Sequence, residues 1–203
     1  MSNNIMLQFD KYLLKVSNLA ISAGNKIMDH YNNNTTVTFK SDKSPLTKAD
    51  LDSNDIIKSG LLKIDSSIPI VSEECFDNWN VRKKWDIYWL IDPLDGTKEF
   101  INKNDEFTVN IALIQNNRPV IGVIFAPALS ELYYASKNFG SYKIQTQNLL
   151  KSLDKSKKIQ VKKKNKLQRL LVIGSRSHSN EEFNNWINKN INDFEIIKKG
   201  SSL

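Results

Sequence analysis

Two short apolar runs in this chain end in carboxylates, and that pairing limits what the chain can fold into. Residues 68–71 read as a strand leading directly into Ser72-Glu73-Glu74, and residues 88–91 as another leading into Asp92-Pro93-Leu94-Asp95-Gly96-Thr97. A part-buried anion needs a cation or several donors, so ordinary cores do not end apolar strands in acids without a reason. The sequence offers no obvious neutralising partner beside Glu73, Asp92 and Asp95. Hard carboxylates with a backbone carbonyl are the donor set that Mg2+ prefers, completed by water and phosphate. Asp92 and Asp95, three apart across Pro93-Leu94, can face one point with the Leu94 carbonyl between them. Gly96 and Thr97 can open a helix whose free N–H groups face a phosphate. Two metal ions at such a place would activate a water and stabilise a leaving oxygen. Asp, Pro and Gly are also turn formers, and Asp92-Pro93-Leu94-Asp95-Gly96 reads equally well as a surface turn.

The rest of the chain alternates helix and strand patterns. Apolar positions from Tyr12 to Ile27 recur at three and four residues, predicting an amphipathic helix over 9–31. A short strand over 36–39 and a polar loop over 41–45 lead to a second helix over 47–64, with Asp50 and Asp52 in its first turn, where the helix dipole favours acids. Residues 107–114 and 120–126 are β-rich runs joined by Gln115-Asn116-Asn117-Arg118-Pro119, an antiparallel pair that 131–135 continues. Short strands are expected over 142–144 and 159–161, a buried one over 170–173 and another over 194–197. Ser179 with Glu182 forms a capping box for a helix ending near residue 189.

Composition excludes several classes. The chain has 203 residues, 40% of them hydrophobic, and no run of about 18 apolar residues that could span a membrane. Its N-terminus lacks a secretory pattern, and one cysteine, Cys75, leaves no internal disulfide and no cysteine zinc site. Both point to the reducing cytoplasm. The net charge of +7 is uneven: residues 137–169 carry eleven Lys and Arg against Asp154 alone. With four arginines in the whole chain and few aromatics in that tract, a solvated lysine-rich surface is the simpler reading, and no nucleic-acid partner is expected. The tract leaves room for peripheral association with the inner face of the cell membrane. The division expected is an N-terminal unit over 1–136 and a second unit over 137–203.

A haloacid-dehalogenase reading of the acidic motif fails, because Pro93 stands where that family carries its nucleophilic aspartate. Ser72-Glu73-Glu74, then Trp89 through Phe100 with its Asp92-Pro93-Leu94-Asp95-Gly96-Thr97-Lys98-Glu99-Phe100, then Glu106-Phe107-Thr108-Val109-Asn110 resemble the inositol monophosphatase superfamily. Gly-Thr-Lys-Glu-Phe, Ser175-Arg176-Ser177-His178 and Gly200-Ser201-Ser202-Leu203 resemble its 3′(2′),5′-bisphosphate nucleotidase branch. The resemblance implies an α+β, α/β-layered fold of the sugar-phosphatase type, an α-β-α-β-α sandwich whose second domain is incomplete here. It implies two or more Mg2+ ions held by Glu73, Asp92, the Leu94 carbonyl and Asp95, with the scissile phosphate on Gly96 and Thr97. Asp50 would pair with Thr97 to orient or deprotonate the attacking water, assisted by Glu73, and His178 and Ser201 would contact the nucleotide. The implied reaction takes adenosine 3′,5′-bisphosphate to AMP and phosphate and is inhibited by lithium.

Other readings stand beside these. Asp50 suits a helix terminus, Thr97 an N-cap and His178 a polar loop, while Glu74 and Cys75 read as structural. The family carries a further acidic ligand in a Trp-Asp-x-Ala-Ala motif and a lysine after Gly-Ser-Ser-Leu, and neither occurs in these 203 residues. Trp85-Asp86 precedes the acidic cluster and lacks the alanines. The expectation is therefore a C-terminally shortened chain. The alternatives are an inositol or sugar monophosphatase, an inactive remnant, or a basic nucleic-acid-binding protein. The sequence gives no oligomeric state.

Overall fold

The computed structural model describes residues 2–33, 37–39, 45–161, 169–176 and 181–202. Helix α1 (Ser2–Asn32) begins seven residues earlier than the apolar stripe implied. Its three-four spacing buries Tyr12, Leu13, Val16, Ala20, Ala23 and Ile27 on one face. Strands β1 (Val37–Phe39) and β2 (Pro45–Thr47) form an antiparallel ribbon. Strand β2 replaces the end of the expected polar loop, and its proline occupies the first position, where a missing N–H costs least.

Helix α2 (Lys48–Ile64) starts where the sequence placed it. Thr47 caps it by accepting the Ala49 N–H, and the Asp50 carboxylate in turn accepts the Thr47 N–H, a reciprocal box that satisfies two otherwise orphaned donors. Strand β3 (Ile70–Ser72) pairs in parallel with β4 (Ile87–Asp95), with a one-turn helix α3 (Trp79–Arg82) between them. Strand β4 runs four residues past the apolar stretch. It carries through Asp92, Pro93 and Leu94 to Asp95, and the register shifts between Asp92 and Asp95. Pro93 sits in that irregularity, where the ladder needs no donor from it. The acidic motif is thus the end of an interior strand and not a surface turn.

After α4 (Thr97–Ile101), β5 (Thr108–Gln115) and β6 (Arg118–Ala126) form the expected hairpin. Asn116 and Asn117 turn it with φ of 49° and 58°, the left-handed pair that matches the twist of the flanking strands. Strands β7 (Glu131–Ser136), β8 (Gly140–Gln145) and β9 (Lys157–Ile159) extend the antiparallel meander, giving a seven-stranded sheet in the order β3-β4-β5-β6-β7-β8-β9. Helices α1 and α2 lie on one face. There the alternate residues Trp89, Ile91, Ile111, Leu113, Val123 and Phe125 make the buried core. The boundary expected at 136/137 falls inside this sheet, because β7 and β8 pair from Ser136↔Gly140 onward. Of the lysines that suggested a break, Lys143 lies on β8 and Lys157 and Lys158 on the edge strand β9, where charge discourages pairing with another sheet.

A second, two-stranded parallel sheet comes next: β10 (Leu170–Ser175), α5 (Glu181–Asn190) and β11 (Phe194–Lys199). The capping box expected at Ser179 lies outside the described residues. The fold is mixed α+β with a mixed main sheet. No helix among the described residues is long and apolar enough to cross a membrane.

Candidate active site

The C-terminal ends of β3 and β4, which the parallel pairing sets side by side, carry the acidic residues to one end of the sheet. The ladder continues past β3, since the Glu73 N–H donates to the Ile91 carbonyl at 3.2 Å. Helix α2 braces both ends from behind: Ser53 Oγ donates to the Pro93 carbonyl at 2.7 Å, and Ser72 Oγ donates to Asn54 Oδ1 at 2.7 Å. Both contacts are buried, and they hold the acidic loops against a rigid helix.

Asp50 is buried in the first turn of α2. Its Oδ2 accepts the Thr47 N–H at 2.7 Å and the Thr47 hydroxyl at 2.6 Å, and its Oδ1 lies 3.1 Å from Thr97 Oγ1. Thr97 Oγ1 also lies 3.2 Å from the Leu94 carbonyl. Burial pushes the Asp50 carboxyl up, and the hydrogen bonds from Thr47 and then Thr97 oppose that rise. Thr97 Oγ1 therefore links Asp50, 47 residues away in sequence, to the end of β4 at Leu94.

Glu73, Asp92 and Asp95 form the second group. Asp92 is raised far above the usual carboxylate range, first by burial and then by the negative charges of Glu73 and Asp95. Its Oδ1 is buried with no hydrogen-bond partner. Among the described residues no ion pair reaches Asp92 or Asp95. Mutually repelling acids with an orphaned oxygen are a site short of positive charge, and hard oxygen donors of this kind suit Mg2+. As the side chains lie, no three acidic groups among the described residues enclose a common point. Asp95 instead turns Oδ2 onto Ser201 Oγ at 2.7 Å, Ser202 Oγ at 2.6 Å and Asn110 Nδ2 at 3.3 Å.

Gly96 comes directly after Asp95 with φ of 88°, the left-handed region that suits glycine. A Cβ there would lie 2.9 Å from the Glu106 carbonyl and 3.0 Å from Ser201 Cβ. A cleft of about 320 Å³ lies beside Gly96 and Thr97, lined also by Glu73, Asp95, Lys98, Ser175 and Ser201. A larger cavity of about 620 Å³ opens from Glu73, Asp92, Asn110 and Ser202 onto the apolar face of the sheet at Leu90 and Ala112.

Of the residues expected from sequence, Asp50, Glu73, Asp92, Leu94, Asp95, Gly96, Thr97 and Ser201 come together at this end of the sheet. His178 lies outside the described residues. Sequence reasoning missed Ser202, Asn110 and Thr108, whose hydroxyl is 3.0 Å from that of Ser201. It also missed Ser53 and Asn54, and the ion pair of Glu106 with Arg176. Asn110 carried one legible signal: a polar residue at an alternate position of an otherwise apolar strand faces away from the core.

The profile of the inositol monophosphatase family matches residues 10–199. A 3′(2′),5′-bisphosphate nucleotidase CysQ from Buchnera aphidicola is 44% identical over 210 residues, covering 99% of this chain and 71% of that protein. The crystal structure of a CysQ from Bacteroides thetaiotaomicron, a bacterial member of the same family, superposes with a TM-score of 0.83 at 36% identity, covering 97% of this chain and 75% of the other. An inositol monophosphatase/NADP phosphatase crystallised with Mg2+ and phosphate shares the fold, with a TM-score of 0.73 at 15% identity over 97% of this chain and 69% of its own.

Proposed function

Because this chain belongs to the inositol monophosphatase family, we propose that it is a Mg2+-dependent phosphatase that hydrolyses the 3′-phosphate of adenosine 3′,5′-bisphosphate, giving AMP and phosphate. The similar nucleotidases favour this substrate over an inositol or sugar phosphate. The observation that carries the chemistry is the 3.1 Å contact between Thr97 Oγ1 and Asp50 Oδ1 beside the carboxylates of Asp92 and Asp95.

Donation of the Thr97 hydroxyl proton to Asp50 leaves a lone pair of Oγ1 to accept a proton from a water in the cleft. Two hydrogen bonds from Thr47 fix the other oxygen of Asp50, so the carboxylate keeps its aim. A carboxyl raised by burial is a better proton acceptor near neutral pH than an exposed aspartate. The water oxygen forms the new bond to phosphorus, its proton passes to Thr97 and on to Asp50, and the bond from phosphorus to the 3′-oxygen breaks. That oxygen leaves as the ribose hydroxyl, taking its proton from solvent water. We assign Glu73, Asp92, Asp95 and the Leu94 carbonyl as holders of two or more Mg2+ ions, which when bound neutralise charge on the phosphoryl oxygens and acidify water. Glu73 also lines the cleft, where it would assist in orienting the water. Gly96 and Thr97 would receive the scissile phosphate in the cleft beside Thr97, and Ser201 and His178 would contact the nucleoside. The partner is a small nucleotide, and the compartment that suits one unpaired cysteine is the cytoplasm.

Phosphate release from adenosine 3′,5′-bisphosphate and from inositol 1-phosphate, each with and without Mg2+, tests the reading. Turnover of the bisphosphate that stops on chelation is expected. Equal or better turnover of inositol 1-phosphate would reassign the substrate.

A further inference from the structure

Glu106 occupies an unusual position for an acid: its side chain is 11% exposed and is met by donors from the ends of both strands of the small sheet. Arg176, just past β10, grips it with two prongs, Nε to Oε2 at 2.7 Å and Nη2 to Oε1 at 2.8 Å. The Gly200 N–H, just past β11, donates to Oε2 at 2.8 Å, and Lys199 Nζ stands 3.7 Å from Oε1. The same guanidinium reaches the Lys198 carbonyl at 3.3 Å, and the Arg176 N–H donates to the Lys199 carbonyl at 2.9 Å. Both strands therefore end on one carboxylate that belongs to the segment entering β5. Gly200 allows this contact, since a Cβ there would lie 2.6 Å from Glu99 Cγ and 3.0 Å from Glu106 Oε2.

Immediately after Gly200 the chain forms the turn that holds Asp95. Ser201 and Ser202 are the two hydroxyls on Asp95 Oδ2, and the Glu106 carbonyl closes on Gly96 from the other side. One residue thus fixes both the segment after Asp95 and the turn that orients its carboxylate. We propose that Glu106 is a positioning residue that, through Arg176 and the Gly200 N–H, sets the orientation of Asp95 and so the Mg2+ affinity of the site. The inference rests on the assignment of Asp95 as a Mg2+ ligand. Arg176 holds the Glu106 carboxyl below its ordinary range, as a two-pronged charged contact should. Two of the three guanidinium nitrogens, Nε and Nη2, are engaged in holding the turn.

A contrast exists on the same sheet. Arg169 and Asp193 also join the β10 and β11 segments, at 3.0 Å, but their side chains are 61% and 75% exposed and neither leads to Asp95. The test is Mg2+ titration by calorimetry of the unmodified 203-residue chain, Glu106→Gln, Arg176→Lys, the double variant and Asp193→Asn, with metal-free melting temperatures recorded for each. Groups that orient a metal ligand typically change affinity about 10- to 100-fold when altered, so Glu106→Gln and Arg176→Lys should each weaken Mg2+ binding about 10-fold or more. The double variant should be no weaker than the worse single, since both act through one contact. Asp193→Asn should bind within about twofold of the unmodified chain by the same reasoning. A mere structural staple would lower the melting temperature and leave Mg2+ affinity unchanged, and that result would overturn the proposal. If Glu106→Gln fails to fold, Arg176→Lys, which keeps the charge and loses the fork, decides the question. Loss of Mg2+ binding in the unmodified chain would instead sink the functional reading itself.

Discussion

The seven-stranded sheet and the two-stranded sheet are held in place by different physics. The large sheet is fixed by dry apolar contact: Trp89, Leu113 and Phe125 are fully buried beneath α1 and α2. The small sheet exposes Leu171 to 56% and Ile173 to 62%, and its described ties to the site are polar, through Glu106, Arg176, Ser201 and Ser202. Burial is strong but without direction, whereas hydrogen bonds fix direction at little net gain in stability. The protein uses the first to make a platform and the second to aim the carboxylate of Asp95. Substitutions on the platform should therefore change stability, and substitutions at the polar end should change chemistry.

The sharpest test of that division is Asp50→Asn. The amide keeps an acceptor for Thr47 and loses the basic carboxylate, so turnover should fall about 10²- to 10⁴-fold, with little change in melting temperature. A comparable loss of stability would mean that Asp50 is only a helix cap. Next is Phe125→Ala, which should cost about 3–5 kcal/mol in denaturant unfolding and leave the Mg2+ affinity of the folded fraction unchanged. Coupled loss of both would break the separation of platform from site.

A smaller effect, of opposite sign, is expected at Asp92. Its folded pKa is raised from 3.8, so the ionised group opposes folding once the pH exceeds that value, and the penalty grows as pH rises. Asp92→Asn should raise the metal-free melting temperature by a few degrees, at about 2–4 °C per kcal/mol for a chain of this size, and abolish Mg2+-induced stabilisation. The gain should vanish below pH 3.8, where the carboxyl is protonated in both states. An equal gain at every pH would point to packing and not charge. The smallest effect belongs to Ile173→Ser on the exposed side of β10, at about 0.5 kcal/mol or less. A larger cost would show that this face is covered in solution.

The platform was largely legible in the sequence, because amphipathic stripes, strand alternation and the Asn116-Asn117 turn are local signals. The place of Asp50 in the first turn of α2 was legible too, whereas its box with Thr47 was not read, and its contact with Thr97 depends on how α2 meets β4. The extent of β4 was not legible: Asp92 and Pro93 are poor strand residues, and it is pairing with β5, at Asp92↔Asn110 and Asp95↔Thr108, that carries the strand through them to Asp95. The contact of Glu106 with Arg176 spans 70 residues and has no periodicity to betray it. Polar long-range contacts of this kind depend on tertiary placement, which composition and spacing do not encode. The acidic cluster itself stood out because it breaks local rules, and such breaks gather at functional sites.

The central claim is that this end of the sheet removes one particular phosphate, and phosphorus NMR of the products tests it most directly. Incubation of the chain with adenosine 3′,5′-bisphosphate and Mg2+ should give inorganic phosphate and AMP that keeps its 5′-phosphate. It should give neither when Asp95 is replaced by Asn. Formation of adenosine 3′-phosphate, or release of phosphate undiminished in Asp95→Asn, would contradict the account.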